Sequence, residues 1–556
     1  MAEHADLIIE NGRLITFDAT NGAATAVAVK GYKILATGTD DEVRNLEGPE
    51  TRTINAQGRT VLPGFIESHV HLFPGGAELG ALNLFHVNGA EELAKAASGF
   101  GKEHPDHELV YGVCCDYETL GEGHSTTRQD LDKVMPGRPF AMMAHDHHTV
   151  WANTKALEKA GILHGGEVPE GCEIVMGEDG KATGELRETG AFGPVLELTP
   201  FGGRDGLGYV TGANPEPMPT ASQRASDRAA MLAGLEHCAR HGITTLHNMD
   251  GNFYQLELLD EMHHEGQLLC RTQIPCHLKN FDPLEKLEEA EEMRRRFDSN
   301  MLWSNRVKIF MDGVIESRTA FMLQPYPDEP GSVGDALFSS EHFNEVCTKA
   351  DAMGLQISVH AIGDGAVRRT LDGYEAAAKV NGKRDSRHRI EHIEVLHKDD
   401  LHRFKELGVI ASMQPLHSPA AGLFDAPPPG VILHEEQKPL FCPWQTLRDT
   451  GVTMIFSTDW PVVPVDVMAS VKGAVAPRNL GAPWTNQHQS LHDALCSYTR
   501  DGAYAEFSEV SKGQLKPGML ADIVMMSHDL EAMEPETLAD ARAELTICGG
   551  RITFEA

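Results

Sequence analysis

Long apolar runs are missing from this sequence. No stretch reaches the roughly 18 consecutive apolar residues that a membrane-spanning helix needs. The first residues, MAEHADLIIENG, do not show a basic segment followed by an apolar one, which is the order in a secretory signal. These two absences predict a cytoplasmic protein without a membrane partner.

Basic residues are scarce relative to acidic ones. The chain has 48 Lys and Arg against 82 Asp and Glu, which gives a formal net charge of −34. Such a charge repels phosphate backbones. We therefore expect no nucleic-acid partner.

Cysteines are few and scattered. The chain has 10 of them, with Cys114 and Cys115 adjacent, but it contains no Cys-x-x-Cys motif. This pattern argues against a zinc knuckle and a dithiol redox site. We expect reduced thiols with mainly structural roles.

Short β-rich runs stand at both ends of the chain. Residues 6–17 and 26–36 are apolar and β-branched and contain Gly-rich turns, and LKPGMLADIVMM and LTICGGRITFEA repeat this character near the C-terminus. We expect one composite β-sandwich domain built from two halves, residues 1–60 and 506–556. The main domain, residues 61–505, would be inserted between them.

The main domain alternates β-rich and helical segments, which is the pattern of parallel βα units. This alternation predicts an α/β protein with a (β/α)8 TIM barrel. The eight candidate strands lie within 61–71, 242–249, 269–278, 307–313, 355–363, 388–394, 409–415 and 452–459. The gap at 72–235 far exceeds a βα loop of about 2 to 6 residues, so it predicts an inserted α/β subdomain.

Potential metal ligands stand at the ends of these strands, where barrel active sites are built. His69 and His71 are two residues apart on an extended segment and should point the same way. His360, His392 and Asp459 close three later strands. Each alone has an ordinary explanation as a buried histidine or a turn residue, but together four imidazoles and a carboxylate predict a zinc-like divalent site.

Lys308 is the unusual residue of the fourth strand. It lies within the apolar run VKIFMDG, where an unpaired ammonium group would be costly. Either a buried ion pair with Asp312 or a chemical role explains it.

The order His-x-His, Lys, His, His, Asp resembles the amidohydrolase superfamily. The phrases LPGFIESHVH, VKIFMDGVIESRTA, VHAIGDGAVRRTLDGYE, HRIEHIE and STDWPV are similar to its amidohydrolase 3 group, which includes N-substituted formamide deformylases. DHHTVWANTKALEKAGI and LKPGMLADIVMM extend the resemblance over nearly the whole chain.

The resemblance implies a role for each ligand. His69, His71 and Asp459 would bind one divalent ion, and His360 and His392 a second, with zinc as the expected metal. Lys308 would be an N6-carboxylysine that bridges the two ions. The metals would lower the pKa of a bound water from about 15.7 toward 7. Asp459 would be the catalytic general base and then general acid.

Four further residues resemble recurring positions at the mouth of the family's barrel. They are His148, Arg318, His417 and Trp460, and surface or core packing explains each almost as well. The chain departs from the group at Glu67, where Asp is common, and at Ile315 and Glu316, where small residues are common. The second departure bears on the pocket and so on the substrate.

Three functions follow as hypotheses. The first is a binuclear hydrolase that cleaves a non-peptide amide or formamide bond of a small molecule, with a homodimer as the default assembly. The second is a mononuclear deaminase; such enzymes usually have a glutamate three residues after the fifth-strand histidine, whereas His360 is followed by Ala-Ile-Gly. The third is a metal-free barrel that acts as a binding protein, which loss of ligands would indicate.

Overall fold

A computed structural model describes residues 4–19, 24–145, 147–169, 171–423 and 428–556. The chain divides into two compact units. The first unit comprises Met1–His71, Leu235–Trp460 and Pro464–Ala556, and the second comprises Leu72–Gly234 and Pro461–Val463.

The strands and helices are numbered in chain order. The strands are β1 (Leu7–Glu10), β2 (Arg13–Leu14), β3 (Ala26–Lys30), β4 (Lys33–Gly38), β5 (Arg52–Asn55), β6 (Thr60–Pro63), β7 (Phe65–Val70), β8 (Leu82–Asn83), β9 (Val110–Cys115), β10 (Phe140–Ala144), β11 (Thr149–Ala152), β12 (Glu173–Met176), β13 (Ala182–Arg187), β14 (Ile243–Asn248), β15 (Arg271–Gln273), β16 (Cys276–His277), β17 (Leu302–Trp303), β18 (Arg306–Phe310), β19 (Gln356–Ala361), β20 (Arg389–His392), β21 (Ile410–Met413), β22 (Met454–Phe456), β23 (Ile523–Met526), β24 (Ala543–Cys548) and β25 (Arg551–Glu555). The α-helices are α1 (Asp40–Arg44), α2 (Leu72–Glu78), α3 (Ala90–Glu103), α4 (Arg128–Val134), α5 (Thr154–Lys159), α6 (Thr189–Leu196), α7 (Leu207–Val210), α8 (Ala221–Arg240), α9 (Phe253–His264), α10 (Leu287–Arg296), α11 (Ser340–Ala352), α12 (Asp364–Asn381), α13 (Leu401–Leu407), α14 (Trp444–Asp449), α15 (Val467–Val475), α16 (Leu491–Ser497) and α17 (Arg500–Ala505).

Parallel strands dominate the first unit and form two sheets. One has the order β17-β15-β14-β7 and the other β16-β18-β19-β20-β21-β22. Each of the eight β-rich segments overlaps at least one of these strands. Within the described residues the ladders do not close into one ring, because the third segment is divided into β15 and β16 by Ile274 and Pro275. Proline has no N–H to donate to a ladder, so it interrupts strand pairing there.

Polar side chains occupy one face of the parallel strands. Alternate residues share a face, so Arg306, Lys308 and Phe310 of β18 point the same way. The neighbouring strand continues this layer, since Arg306 Nε donates to Gln356 Oε1 at 2.7 Å. This shared face carries the candidate functional residues.

Strands from both ends of the chain pair with each other. β6 runs antiparallel to β23 in a sheet of order β2-β6-β23-β24-β25, and a second sheet has the order β4-β3-β1-β5. One buried apolar cluster includes Ile9 and Val29 from the N-terminal strands and Ile523 and Ile547 from the C-terminal ones. The two ends therefore share a core; the β-sandwich form stays a prediction.

The second unit is a mixed α/β structure. Its sheet has the order β12-β13-β11-β10-β9-β8. Ala141 and Met143 belong to one buried apolar cluster, whereas Phe140 and Met142, with the opposite strand parity, belong to another. The sheet therefore buries both faces.

Two further observations concern the cysteines and the helices. All ten cysteines are free thiols, and most of them are buried. Among the helices of the described residues, none has the length and apolar character required to cross a bilayer.

A buried charge network links β14 to the segment after α17, and it predicts an acid-sensitive contribution to stability. Glu506 contacts His247 Nε2 at 2.7 Å and Lys512 Nζ at 2.6 Å. Burial raises the pKa of Glu506, but Lys512 and His247 outweigh it and lower the pKa from 4.5 to about 2. Because the folded pKa is depressed, the stabilisation is complete above about pH 4.5 and is lost as the pH falls toward 2.

We expect Glu506→Gln to destabilise the protein at pH 7 by about 3 kcal/mol, because it leaves the Lys512 ammonium buried without its anion. Thermal melting of the variant and the wild type should differ most at pH 7, and the gap should narrow below about pH 4.5. Exposed Glu534→Gln is the matched control. A gap that stays constant from pH 7 to pH 3 would show that the charge contributes nothing.

Candidate metal centre

Two histidines and a carboxylate converge at the end of β7. His69 Nε2 and His71 Nε2 each lie 3.4 Å from Asp459 Oδ1, although Asp459 is distant in sequence and follows β22. The backbone brings them together directly, since Asp459 N donates to His69 O at 3.0 Å. All three residues offer ligand atoms within 4.8 Å of one another.

A second group of ligand atoms shares the same carboxylate. His392, His417 and Asp459 also meet within 4.8 Å. His417 Nε2 lies 3.8 Å from Asp459 Oδ2, and His392 Nδ1 lies 3.9 Å from it. His392 and Asp459 both have positive φ, 76° and 67°, a conformation that non-glycine residues rarely adopt. Such strain is concentrated at functional sites.

One carboxylate oxygen of Asp459 receives no hydrogen bond from the described residues. Within the described residues, Asp459 Oδ1 is buried and accepts no hydrogen bond. Burial raises the pKa of Asp459, but the imidazoles of His69, His71 and His392 outweigh it and hold the pKa well below its usual range. A buried, ionised oxygen that accepts no hydrogen bond is typical of a carboxylate that binds a cation.

The distances also suit a tetrahedral ion. Zinc binds imidazole nitrogen at about 2.0–2.1 Å, so two ligands on a tetrahedral ion are about 3.3 Å apart. The two separations of 3.4 Å between the imidazole nitrogens and Asp459 Oδ1 match this value. The residues present therefore fit a zinc-like ion.

The rings of three histidines are held by hydrogen bonds at their other nitrogens. His69 Nδ1 contacts Glu391 Oε2 at 2.9 Å, and His71 Nδ1 contacts Asp250 Oδ1 at 3.2 Å. His392 Nδ1 contacts Gln414 Oε1 at 2.8 Å. An imidazole that donates from one nitrogen to such a partner presents a lone pair at the other. The partners thus leave Nε2 of these rings as the nitrogen able to bind a metal.

Two of these imidazoles differ in proton affinity. Burial lowers the pKa of His69 to about 4. Burial also lowers that of His71, but the carboxylates of Asp250 and Asp459 outweigh it and raise the pKa to about 9. A cation beside Asp459 would displace a proton from His71, so binding should weaken at acid pH.

Glu391 is itself fixed by an arginine. Arg389 Nε and Nη2 donate to the two Glu391 oxygens, each at 2.8 Å, and both side chains are fully buried. Burial raises the pKa of Glu391, but Arg389 and His69 lower it well below its usual range. Glu391 is therefore a carboxylate, able to hold His69 in a single orientation.

We expect Asp250→Asn to weaken metal binding by roughly 10- to 100-fold, because it removes the negative charge that makes His71 a stronger ligand. Titration of the metal-free protein with zinc in a competing chelator would measure this. The control is Asp335→Asn, at an exposed position. If Asp250→Asn binds zinc as tightly as that control, Asp250 has no part in ligand orientation.

Lys308 lies buried beside the histidines. Its Nζ is 3.5 Å from His69 Nε2 and 4.6 Å from the centre of the Phe310 ring. Burial lowers its pKa to about 8. Asp312, the alternative ion-pair partner, instead accepts backbone N–H groups of Phe321, Ile362 and Gly363.

His360 lies in the same cluster but outside the two close groups. Its ring centre is 4.5 Å from that of His392, and its Nε2 contacts the Gly313 carbonyl at 3.1 Å. If His360 binds a metal, that contact leaves Nδ1 for it. The structure thus brings together all six residues predicted as ligands.

The four weaker pocket candidates have different surroundings. His417 is part of the second ligand group. Trp460 is buried, accepts a hydrogen bond from His71 N at its carbonyl and packs 5.4 Å from the His237 ring. Arg318 forms an ion pair with Asp328. In the second unit His148 contacts Glu188 at 3.0 Å; Asp146, which opens its motif, lies outside the described residues.

Sequence reasoning did not identify four residues of this cluster. They are Asp250, His277, Glu391 and Gln414. Glu391 stands beside His392 in RIEHIE and His277 is the last residue of β16, so proximity to a strand end was a usable signal. Asp250 and Gln414 also follow strand ends, but polar residues are common there.

Comparison with known proteins gives a consistent result. The model of a family described as "Amidohydrolase family" matches residues 52–554. "Protein LONG AFTER FAR-RED 3" of Arabidopsis thaliana is 28% identical over 542 residues, covering 94% of this chain and 87% of that protein. "N-substituted formamide deformylase" of Arthrobacter pascens is 25% identical over 582 residues, covering 100% and 99%.

A solved structure supports the same relationship. An uncharacterized metal-dependent hydrolase from Pyrococcus furiosus has a TM-score of 0.70 and 25% sequence identity, with 95% of this chain and 99% of that chain covered. The similarity therefore extends over the main domain and the strands contributed by both ends.

Proposed function

This chain belongs to the amidohydrolase family and is a hydrolase of carbon–nitrogen bonds; we propose that it cleaves a non-peptide amide or formamide bond of a small molecule with the help of two divalent metal ions, zinc by preference. The observation that carries the proposal is the convergence of His69, His71 and Asp459 around an unsatisfied carboxylate oxygen. The names of the deformylase relative and of the metal-dependent hydrolase neighbour support it.

The proposed centre assigns the ligands to two positions. His69, His71 and Asp459 would hold one ion, and His360 and His392 the other. When bound, the ions supply Lewis acidity, which makes a water molecule a nucleophile at neutral pH and polarises a carbonyl group. Donor chemistry supports zinc, because imidazole and carboxylate ligands suit it.

Asp459 is the proposed proton carrier. Its pKa lies well below the usual range, so it is ionised at neutral pH, as a proton acceptor has to be. It would take the proton of the attacking water and return it to the leaving amine. Glu391 and Asp250 would hold the rings of His69 and His71 in place meanwhile.

We assign Lys308 as a carboxylated lysine that bridges the two positions. An ammonium group there would face two cations, whereas a carbamate is an anion and would be attracted to both. The buried position of Lys308 beside His69 supports this assignment.

The proposed architecture follows the sequence prediction. The eight parallel segments would close into a barrel, and the Val70–Trp460 bridge supports a junction between its first and last strands. The two ends would form a β-sandwich. His417, Trp460 and Arg318 are proposed substrate contacts of the first unit. His148, in the second unit, stays a candidate from the sequence alone. A homodimer is the default assembly and is measurable by sedimentation.

Metal analysis together with a substrate panel tests the function. We expect about two zinc equivalents per chain by plasma mass spectrometry. We also expect hydrolysis of N-formyl or N-acyl amines that falls at least roughly 10³-fold after chelation and returns with zinc.

Other results would redirect the proposal. One equivalent of metal with ammonia release from amino-heterocycles would indicate the mononuclear deaminase. Protein that binds no metal and turns over no amide would contradict the enzyme assignment itself.

A further inference from the structure

His277 is a buried histidine that no role described above uses. It ends β16 and its side chain is 1% exposed. Within the described residues, neither of its ring nitrogens has a hydrogen-bond partner. A neutral imidazole carries one N–H and one lone pair, and buried polar groups are nearly always hydrogen-bonded in folded proteins. A polar group beside this ring would satisfy it.

The strand register places His277 beside Lys308. The parallel pairing of β16 with β18 sets His277 opposite Lys308, and paired residues on neighbouring strands point to the same face. The ring of His277 stacks on Phe310, with centres 5.5 Å apart and planes 20° from parallel. Phe310 also lies under the Lys308 ammonium at 4.6 Å. His277 and Lys308 therefore both pack against the ring of Phe310.

The positive charge around Phe310 favours an anion beside it. The Lys279 ammonium lies 5.0 Å from the centre of the same Phe310 ring, so two lysines approach one aromatic ring. Two ammonium groups this close repel each other, and conversion of one of them to an anion would turn that repulsion into attraction.

We propose that His277 is a positioning residue whose ring N–H donates to the carboxylate end of a carboxylated Lys308 and so retains the modification. This inference rests on the carboxylation assigned in the proposed function. In the modification, the neutral Lys308 amine attacks the carbon of dissolved carbon dioxide. A C–N bond forms, one C=O π bond breaks with its electron pair moving to the oxygen, and the nitrogen releases one proton to solvent. The product is an anion that accepts from His277.

The test measures carboxylation and not only activity. Metal-free protein is incubated with ¹³C-bicarbonate at increasing concentration and then with zinc, and the carbamate signal and zinc content are recorded. We expect His277→Phe to raise the bicarbonate concentration for half occupancy roughly tenfold or more, because a charge-assisted hydrogen bond is lost. Excess bicarbonate should restore both the signal and the second zinc. His277→Asn, which keeps an N–H donor, should stay closer to the wild type.

The control is His264→Phe, at a side chain that is 73% exposed. A wild-type protein without any carbamate signal would contradict the carboxylation of Lys308 and, with it, this inference. A normal wild-type signal together with an unchanged bicarbonate dependence in His277→Phe would overturn the role of His277 alone. An unchanged dependence with a raised KM would assign His277 to the substrate instead.

A measurement on the wild type tests the proposal even if His277→Phe does not fold. A crystal structure grown with bicarbonate and zinc should show a carboxylated Lys308 oxygen at about 2.7–3.2 Å from a His277 ring nitrogen. A carboxylated lysine whose oxygens all lie beyond hydrogen-bond distance of His277 would overturn the proposal.

Discussion

Asp459→Asn should lower kcat by at least roughly 10³-fold while leaving the fold intact. General acid–base catalysis contributes about 10²- to 10⁴-fold, and this residue also donates to the proposed metal site. The amide has nearly the same shape as the carboxylate, so the backbone bond from Asp459 N to His69 O should survive. Steady-state kinetics on the best substrate of the N-acyl and N-formyl amine panel would measure the loss.

The kinetic experiment needs two additional measurements on the variant and one control variant. Zinc content and circular dichroism of the variant separate loss of the proton carrier from loss of metal or fold, and exposed Asp335→Asn controls for charge removal. If the variant keeps its zinc and loses activity, Asp459 acts mainly on protons. A variant that retains more than about a tenth of wild-type kcat would remove Asp459 from the chemistry.

The strand ends were accessible to sequence reasoning because their signals are local. His69 and His71 follow the two-residue period of an extended chain, and each apolar segment that precedes a predicted ligand contains a strand. Such patterns need no knowledge of distant contacts. The interrupted third segment was also readable in principle, since Pro275 removes a ladder donor, but its effect on pairing depends on the neighbouring strands.

The partners of the ligands were not accessible in this way. Glu391 is 322 residues from His69 in sequence, and Asp250 is 179 residues from His71. Only the folded sheet brings them together. Simple alternation would also point Glu391 and His392 to opposite faces, yet both reach the cluster. The positive φ of 76° at His392 turns its side chain inward, and no local pattern in the sequence predicts that turn.

Lys308→Met should abolish activity without destabilising the metal-free protein. Methionine is apolar and has nearly the length of lysine, so it fills the same space beside Phe310. In the metal-free protein the lysine gives up hydration, and the polar contact that the described residues provide is His69 Nε2 at 3.5 Å. Replacing a poorly paired buried charge with an apolar group is often neutral or stabilising.

Activity and stability should therefore move separately. We expect kcat at least roughly 10³-fold lower, and zinc reduced from about two equivalents to about one, because the bridging anion is lost. The melting temperature of the metal-free variant should equal or exceed that of the wild type. Lys383→Met, at an exposed position, is the control for charge removal. A variant that melts several degrees lower and still binds two zinc ions would indicate that Lys308 supports the fold and not the metal centre.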